Sequence, residues 1–462
     1  MSIPIKLSIL LWFCLILSSN LSGQTKVWIN KRDTADLKIR PIFCSEWMPF
    51  CSYSSVQLKN STVPTLPLQT YQQASMNGDE KGYGYALDQI GAKYLTAKGL
   101  NGQGVKIGII DGGFLDAPED AALVHLFSNE QVKSYVDYVT PAMTPYAGSK
   151  GLDDQHGTDV WRLIGGFSKE FNINYGFATG ASFYLARTDH GGYEKRLEED
   201  YLIAALEEMH RQGVRLINIS LGYSDGYNQK SENYTPEMMD GQTSLLSRAV
   251  DIAHFSKNIL VVVSAGNEGS RKNWKVLSAP ADAKGALSVG ASLLNRHVKM
   301  RYSSEGTPSI GYLKPEIACF ASNGTSFSAP IITGLAATIM EADSTLSAQQ
   351  IKAIIEKSGH LYPYGNNYIG YGVPSAERIL QLLENQDADN DINVSAAKRR
   401  LKLKLDRNNP LVSIYQKNQL NEVQEFSSRK VKGRKLKVKQ LDSCISTTVI
   451  IGDEVFEILW DK

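Results

Sequence analysis

The sequence predicts an α/β protein, a parallel sheet with helices on both faces, followed by a small C-terminal β module. Short apolar runs alternate with stretches in which apolar residues recur at helical spacing, the pattern of a buried parallel sheet. Near residue 395 the pattern switches to strict alternation of apolar and cationic residues, which is that of strands with one solvated face. The length supports both parts: 462 residues, 42% hydrophobic and 21% charged, can bury a large core with smaller pieces attached. Lys+Arg 49 against Asp+Glu 48 leaves a formal charge of +1, so nothing global points to nucleic acid.

The apolar run Leu7–Leu17 behind Lys6 is too short to span a bilayer and suits an export signal, with cleavage expected near Gly23. Residues 24–81 carry Pro64, Pro67 and many polar side chains and read as a pro-segment or exposed arm. Beyond Cys14 the cysteines are Cys44, Cys51, Cys319 and Cys444. In an oxidising compartment Cys44 and Cys51 could bridge, and none of the four has the clustered spacing of a metal site.

The main domain is expected over 82–383. A helix from Ala86 to Leu100 precedes the buried strand Val105–Asp111, with Asp111 at the carboxyl end, where open α/β sheets place their ligands. Gly102 and Gly104 stand before that strand rather than after it, which excludes a dinucleotide-binding turn. His156 opens an amphipathic helix. Further strands are expected at Ala181–Ala186, Val214–Gly222, Ile259–Val263 and Leu287–Ala291, with helices at Leu197–Gln212, Leu245–His254, Gln349–Lys357 and up to Leu383. A small-residue turn, Asn323-Gly324-Thr325-Ser326, delivers Ser326 to the first turn of an Ala-rich helix, where N–H groups and the positive dipole end can stabilise negative charge. Residues 384–394 form an acidic linker. Asp387–Asp391 starts like a calcium loop, but Ile392 and Lys398 stand where glycine and glutamate are needed, so no calcium ligand is assignable. In the basic tail, 395–462, Arg400–Leu405 and Lys435–Lys439 alternate with period two, and their cationic face is a candidate for surface association.

Asp111, His156 and Ser326 thus stand at strand ends or helix starts, with Asn267 closing a strand between the last two. A serine hydroxyl needs a neutral imidazole to take its proton and a carboxylate to orient that imidazole, and a tetrahedral intermediate needs donors for its oxyanion. The sequence resembles the subtilisin-like serine peptidases, the subtilases. The resemblance rests on the strand ending in Asp111, His156-Gly157-Thr158, Ala265-Gly266-Asn267 and Gly324-Thr325-Ser326-Phe327-Ser328-Ala329-Pro330, and it covers about 82–383. It implies a secreted endopeptidase acting on proteins or peptides without a cofactor. In it Ser326 attacks, His156 relays the proton, Asp111 holds His156, and Asn267 joins the Ser326 N–H at the oxyanion. Ser220-Leu221-Gly222 is implied as the edge that pairs with substrate backbone, and Glu268 as a pocket wall favouring a basic side chain before the scissile bond. Two departures stand out: Gly112-Gly113 follows Asp111 where a hydroxyl residue is usual, and the connection from Lys314 to Ser326 is short. An α/β-hydrolase esterase is disfavoured because its order is Ser, acid, His. A non-catalytic binding protein on the same scaffold is the rival of another class.

Overall fold

The computed structural model describes Trp47, 74–75, 82–148, 152–192, 194–294, 297–386, 392–406 and 410–461. The export signal, most of the arm with Cys44 and Cys51, and Asp387–Asp391 lie outside these residues. Residues 60–462 form one compact unit.

Its centre is a seven-stranded sheet of β1 (Lys106–Asp111), β2 (Val132–Asp137), β3 (Ser182–Arg187), β4 (Leu216–Ile219), β5 (Leu260–Ser264), β6 (Leu287–Ser292) and β7 (Ile317–Phe320). The order is β7-β6-β5-β4-β1-β3-β2, with every neighbouring pair parallel. The chain leaves β1 toward β3 and β2 on one side and builds β4 to β7 on the other. The carboxyl end of β1 is therefore the switch point, where the flanking loops diverge and leave a crevice.

Along β1 the faces alternate, as a strand requires. Ile107 and Ile109 join the core made with α3 (His156–Gly165) and α6 (Ala329–Ala342). Gly108 faces the other way, where a side chain would collide with Met209 of α4 (Arg196–Arg211). Helix α5 (Leu245–Phe255) packs beside α4, and α7 (Ala348–Ser358) and α8 (Ala376–Leu383) complete the α6 side. Helix α6 buries every residue from Ala329 to Met340, which identifies it as the helix threaded through the core. Ser347 caps α7 with a reciprocal Gln350 contact, and Ser244 and Ser375 cap α5 and α8.

Four expectations change. The helix expected over Ala86–Leu100 is two short ones, α1 (Tyr85–Ile90) and α2 (Ala92–Ala97), because Gly91 takes a left-handed φ of 89° and ends the first. Strands β2 and β7 carry no long apolar run: β2 is a half-buried edge and β7 has four residues. Ser326 lies in a 3₁₀ turn, Thr325–Phe327, ahead of α6 rather than in its first turn, since Pro330 suits the start of the α-helix proper. The tail module is not wholly antiparallel.

That module contains β8 (Ile392–Ala397), β9 (Arg400–Lys404), β10 (Leu411–Lys417), β11 (Val423–Lys430), β12 (Lys435–Lys439), β13 (Ser446–Ile451) and β14 (Glu454–Trp460). One sheet has the order β8-β14-β13-β10-β11, and β9 pairs with β12 in a second. Strands β8 and β14 run parallel, which costs no tight turn because they are the first and last of the module. Strand β8 starts at Ile392, inside the expected linker. Leu403, Leu436 and Val438 of the small sheet close over Val412, Val449 and Ile458 of the large one. Tyr415, Ile450 and Val455 share a second core with Ala318, Leu361 and Ile369 of the α/β part. There the Lys417 ammonium, 1% exposed, pairs with Glu457 at 3.1 Å and donates to the Tyr364 carbonyl at 3.0 Å. The module is thus bonded to the main domain by buried polar as well as apolar contacts.

Candidate active site

Strand β1 delivers Asp111, fully buried, to the crevice. Its Oδ1 lies 2.6 Å from His156 Nδ1 and accepts the Gly112 N–H at 2.8 Å. Facing a carboxylate, Nδ1 carries the ring proton, which leaves Nε2 as the acceptor. Oδ2 is buried with no hydrogen-bond partner, at the place where Gly112 stands instead of a hydroxyl residue. Helix α3 can begin this close to Asp111 because residue 157 is glycine: a Cβ there would overlap the Gly113 carbonyl oxygen and lie 3.0 Å from the Asp111 Cβ. Phe327 leans on the imidazole, ring centres 5.5 Å apart.

Ser326 is held from β4. Its hydroxyl donates to the Ser220 carbonyl oxygen at 3.0 Å, and the Ser220 hydroxyl donates to the Ser326 carbonyl oxygen at 2.9 Å. Behind Ser220 a buried chain continues through Asn218 Nδ2 (3.0 Å) to the Thr333 hydroxyl on α6, which donates to Asn218 Oδ1 at 2.9 Å. Sequence reading missed Asn218 and Thr333, since an asparagine inside a strand and a threonine inside a helix carry no motif. It also assigned Ser220 only to substrate.

Asn267 stands exposed past β5. The Thr325 N–H donates to its Oδ1 at 2.9 Å, and because that partner can only donate, the amide orientation is fixed and Nδ2 is left as a donor. The Thr325 hydroxyl accepts the Gly266 N–H at 3.0 Å and ties the two turns together. Glu268 folds back on the same turn, its Oε2 accepting from the Asn267 N–H (2.7 Å) and the Ser304 hydroxyl (3.0 Å).

His156, Ser326, Asn267, Ser220, Leu221, Gly222 and Glu268 all line one cleft of about 360 Å³, with Asp111 directly behind His156. An apolar cavity of about 320 Å³ between Tyr85, Phe320 and Phe327 lies where the shortened connection rejoins α6.

Two charged clusters flank the site, and neither was read from the sequence. Arg187, closing β3, donates to the Gly112 carbonyl at 2.9 Å and pairs with Asp154 (2.8 Å) and Asp137 (3.1 Å), all nearly buried. It braces the turn that carries Asp111. Two residues further on, Asp189 and Glu194 line the cleft, and Asp189, His190 and Glu198 bring their donor atoms within 4.8 Å of one another, the described group close enough to hold an ion. Burial first, then the Asp189 carboxylate, pushes the Glu194 and Glu198 carboxyls well above the usual range. These residues span a loop-to-helix junction that no spacing rule marks.

The subtilase family model matches residues 102–372, more than half of the chain and the whole of this site. This chain belongs to the subtilase family. The subtilase is 26% identical over 302 residues to subtilisin DY of Bacillus licheniformis, covering 62% of this chain and 96% of that protein. It is also 26% identical to subtilisin E of Bacillus subtilis, covering 62% of this chain and 69% of the other. The subtilase shares its fold with the CspB protease of Clostridium perfringens: TM-score 0.50, 16% identity, 65% of this chain and 99% of that one. It is a serine endopeptidase, with peptides as its substrate class. Among the described residues no helix is long and apolar enough to cross a membrane.

Proposed function

We propose that this subtilase is secreted and cleaves peptide bonds through an Asp111-His156-Ser326 triad. The 2.6 Å contact between His156 Nδ1 and Asp111 Oδ1, beside a serine in the same cleft, carries the reading. The Ser326 hydroxyl turns from the Ser220 carbonyl to His156 Nε2, a rotation about one bond, and attacks the substrate carbonyl as the imidazole takes its proton. Asp111 stabilises the imidazolium. Asn267 Nδ2 and the Ser326 N–H donate to the oxyanion, and the imidazolium returns its proton to the leaving amine. Water then hydrolyses the acyl-enzyme by the same route. No cofactor enters this chemistry. The apolar run Leu7–Leu17 supports export.

The test is labelling of the mature protein by a serine-directed fluorophosphonate, with the modified residue located by mass spectrometry. Label is expected on Ser326; Ser326→Ala should lose it together with at least about 10⁴-fold in kcat, and Asn267→Ala should lower kcat about 10²–10³-fold at near-constant KM. Full turnover by Ser326→Ala would sink the reading and leave a binding protein on this scaffold. Glu268 is proposed to favour a basic residue directly before the scissile bond. A cleavage profile without Lys or Arg there, unchanged by Glu268→Gln, removes that role.

The tail adds a second element. Arg400 faces Lys439, Lys402 faces Lys437 and Lys404 faces Lys435 across β9 and β12, a ladder of like charges that repels itself unless an anion covers it. We propose association with an anionic surface. Binding to an anionic resin should weaken steeply with salt, and should be lost when Lys402, Lys404, Lys435 and Lys437 become glutamine. Retention by that variant would rule the element out.

A further inference from the structure

The acidic cluster beside the catalytic cleft has a composition that structural ion pairs lack. Glu199, nearby on α4, is fully matched: it pairs with Arg196 at 2.5 Å and accepts hydrogen bonds from the Tyr227 and Tyr234 hydroxyls. Asp189, Glu194 and Glu198 share only His190, in contact with Glu198, and the half-exposed Lys195. Glu198 is 1% exposed, and its Oε2 accepts the Lys195 N–H at 2.8 Å. Glu194 is hydrogen-bonded to it, so the two carboxyl groups share a proton.

Tyr223 is the independent sign of a ligand. It is completely buried, and its hydroxyl has no hydrogen-bond partner, which for a buried phenol costs about 1–3 kcal/mol. The charges that act on it are, in order, those of Asp189, Glu198, Glu194 and Glu199, so the hydroxyl is directed at this cluster. A site with several carboxylate oxygens and one unused hydroxyl oxygen is an acceptor-rich pocket. Its complement is a group that only donates: a guanidinium with five N–H bonds or an ammonium with three.

Resting on the peptidase reading, we propose that Asp189, Glu194 and Glu198, with the Tyr223 hydroxyl behind them, form a subsite for a lysine or arginine side chain of the substrate, separate from the Glu268 wall. The cluster opens into the same cleft as Ser326 and His156, so a bound peptide presents its side chains to it. A cation entering there displaces the shared proton of the Glu194–Glu198 pair and gives Tyr223 a donor. Recognition then draws on charge that the unliganded fold leaves poorly matched.

The test uses the full mature protein and peptides that place Arg, Lys, norleucine or Glu at each position in turn. Arg and Lys should exceed norleucine at least about tenfold in kcat/KM at one position other than that directly before the scissile bond. Glu194→Gln should remove most of that preference, Glu198→Gln should reduce it, and Glu268→Gln should leave it intact. Fluorophosphonate labelling of Ser326 and hydrolysis of the norleucine peptide should stay near wild type in Glu194→Gln, which separates loss of the subsite from loss of the triad. No basic preference outside the position before the scissile bond, or one that survives both Glu194→Gln and Glu198→Gln, overturns the proposal. So does stoichiometric zinc or manganese in the purified protein that is lost in Glu198→Gln without change in peptide preference, since the cluster would then be a metal site.

Discussion

Arg187 and Asp189 are two residues apart at the end of β3, yet they belong to charge clusters of opposite kinds. Around Arg187 the accounts balance: one guanidinium meets two carboxylates and a backbone carbonyl, and Asp137 also accepts the Val139 and Thr140 N–H groups at 2.9 and 2.7 Å. Around Asp189 carboxylates outnumber cations, and a phenol hydroxyl is left over. The first arrangement is what a buried ion network needs in order to persist without a ligand. The second persists only by holding protons, and it faces the cleft. Burial of charge alone therefore does not mark a functional site; the mismatch between charges and partners does.

The largest expected effect separates the two directly. Arg187→Met should destabilise the protein by about 3–5 kcal/mol, because it leaves Asp137 and Asp154 buried without their cation. Loss of the bond to the Gly112 carbonyl should also loosen the turn carrying Asp111 and lower kcat. Converting Asp154 to asparagine in the same chain should recover part of the stability, and the recovery is the interaction that thermal and denaturant melts would measure. If Arg187→Met melts like wild type, the contrast between the clusters fails. At the other cluster the sign reverses. Glu194→Gln should leave the unliganded protein as stable or more stable, by on the order of 1 kcal/mol, since it removes a charge the fold has not matched.

The same contrast explains what was legible in the sequence. Asp111, His156, Asn267 and Ser326 sit in short motifs whose backbone context is local, a strand end, a helix start and two tight turns, so pattern alone placed them at the crevice. Ser220, Leu221 and Gly222 follow a buried strand and were equally visible. Arg187, Asn218, Thr333 and Tyr223 act through partners 30 to 115 residues away, and only the parallel sheet brings those together. Strand β2 escaped because an edge strand is half exposed and loses the continuous apolar run. In the tail the period-two pattern gave β9 and β12, but pairing is decided by register and by the core with Leu361 and Ile369, which no local pattern encodes.

The smallest effect is a dependence on pH, and its sign discriminates most finely. The Glu194 and Glu198 carboxyls are raised by burial and by Asp189, with Glu199 adding to Glu194, while Lys195 and N–H bonds from residues 190 and 195 oppose this at Glu198. In the unfolded chain they ionise near the ordinary value of about 4.3. Between that value and the raised one the folded state holds protons that the unfolded state has released. Their contribution is therefore fully present at acid pH and is lost as pH rises through the folded values. Wild type and Glu194→Gln should melt alike near pH 4, and the variant should become the more stable as pH climbs toward 9. The Arg187 cluster, matched in its charges, should give Asp154→Asn the opposite behaviour: a deficit present at neutral pH that narrows toward acid, where the wild-type carboxylate also protonates. Parallel melting curves for wild type and Glu194→Gln across that range would mean that the cleft carboxylates are as well matched as those around Arg187, and the physical distinction between the two clusters would disappear.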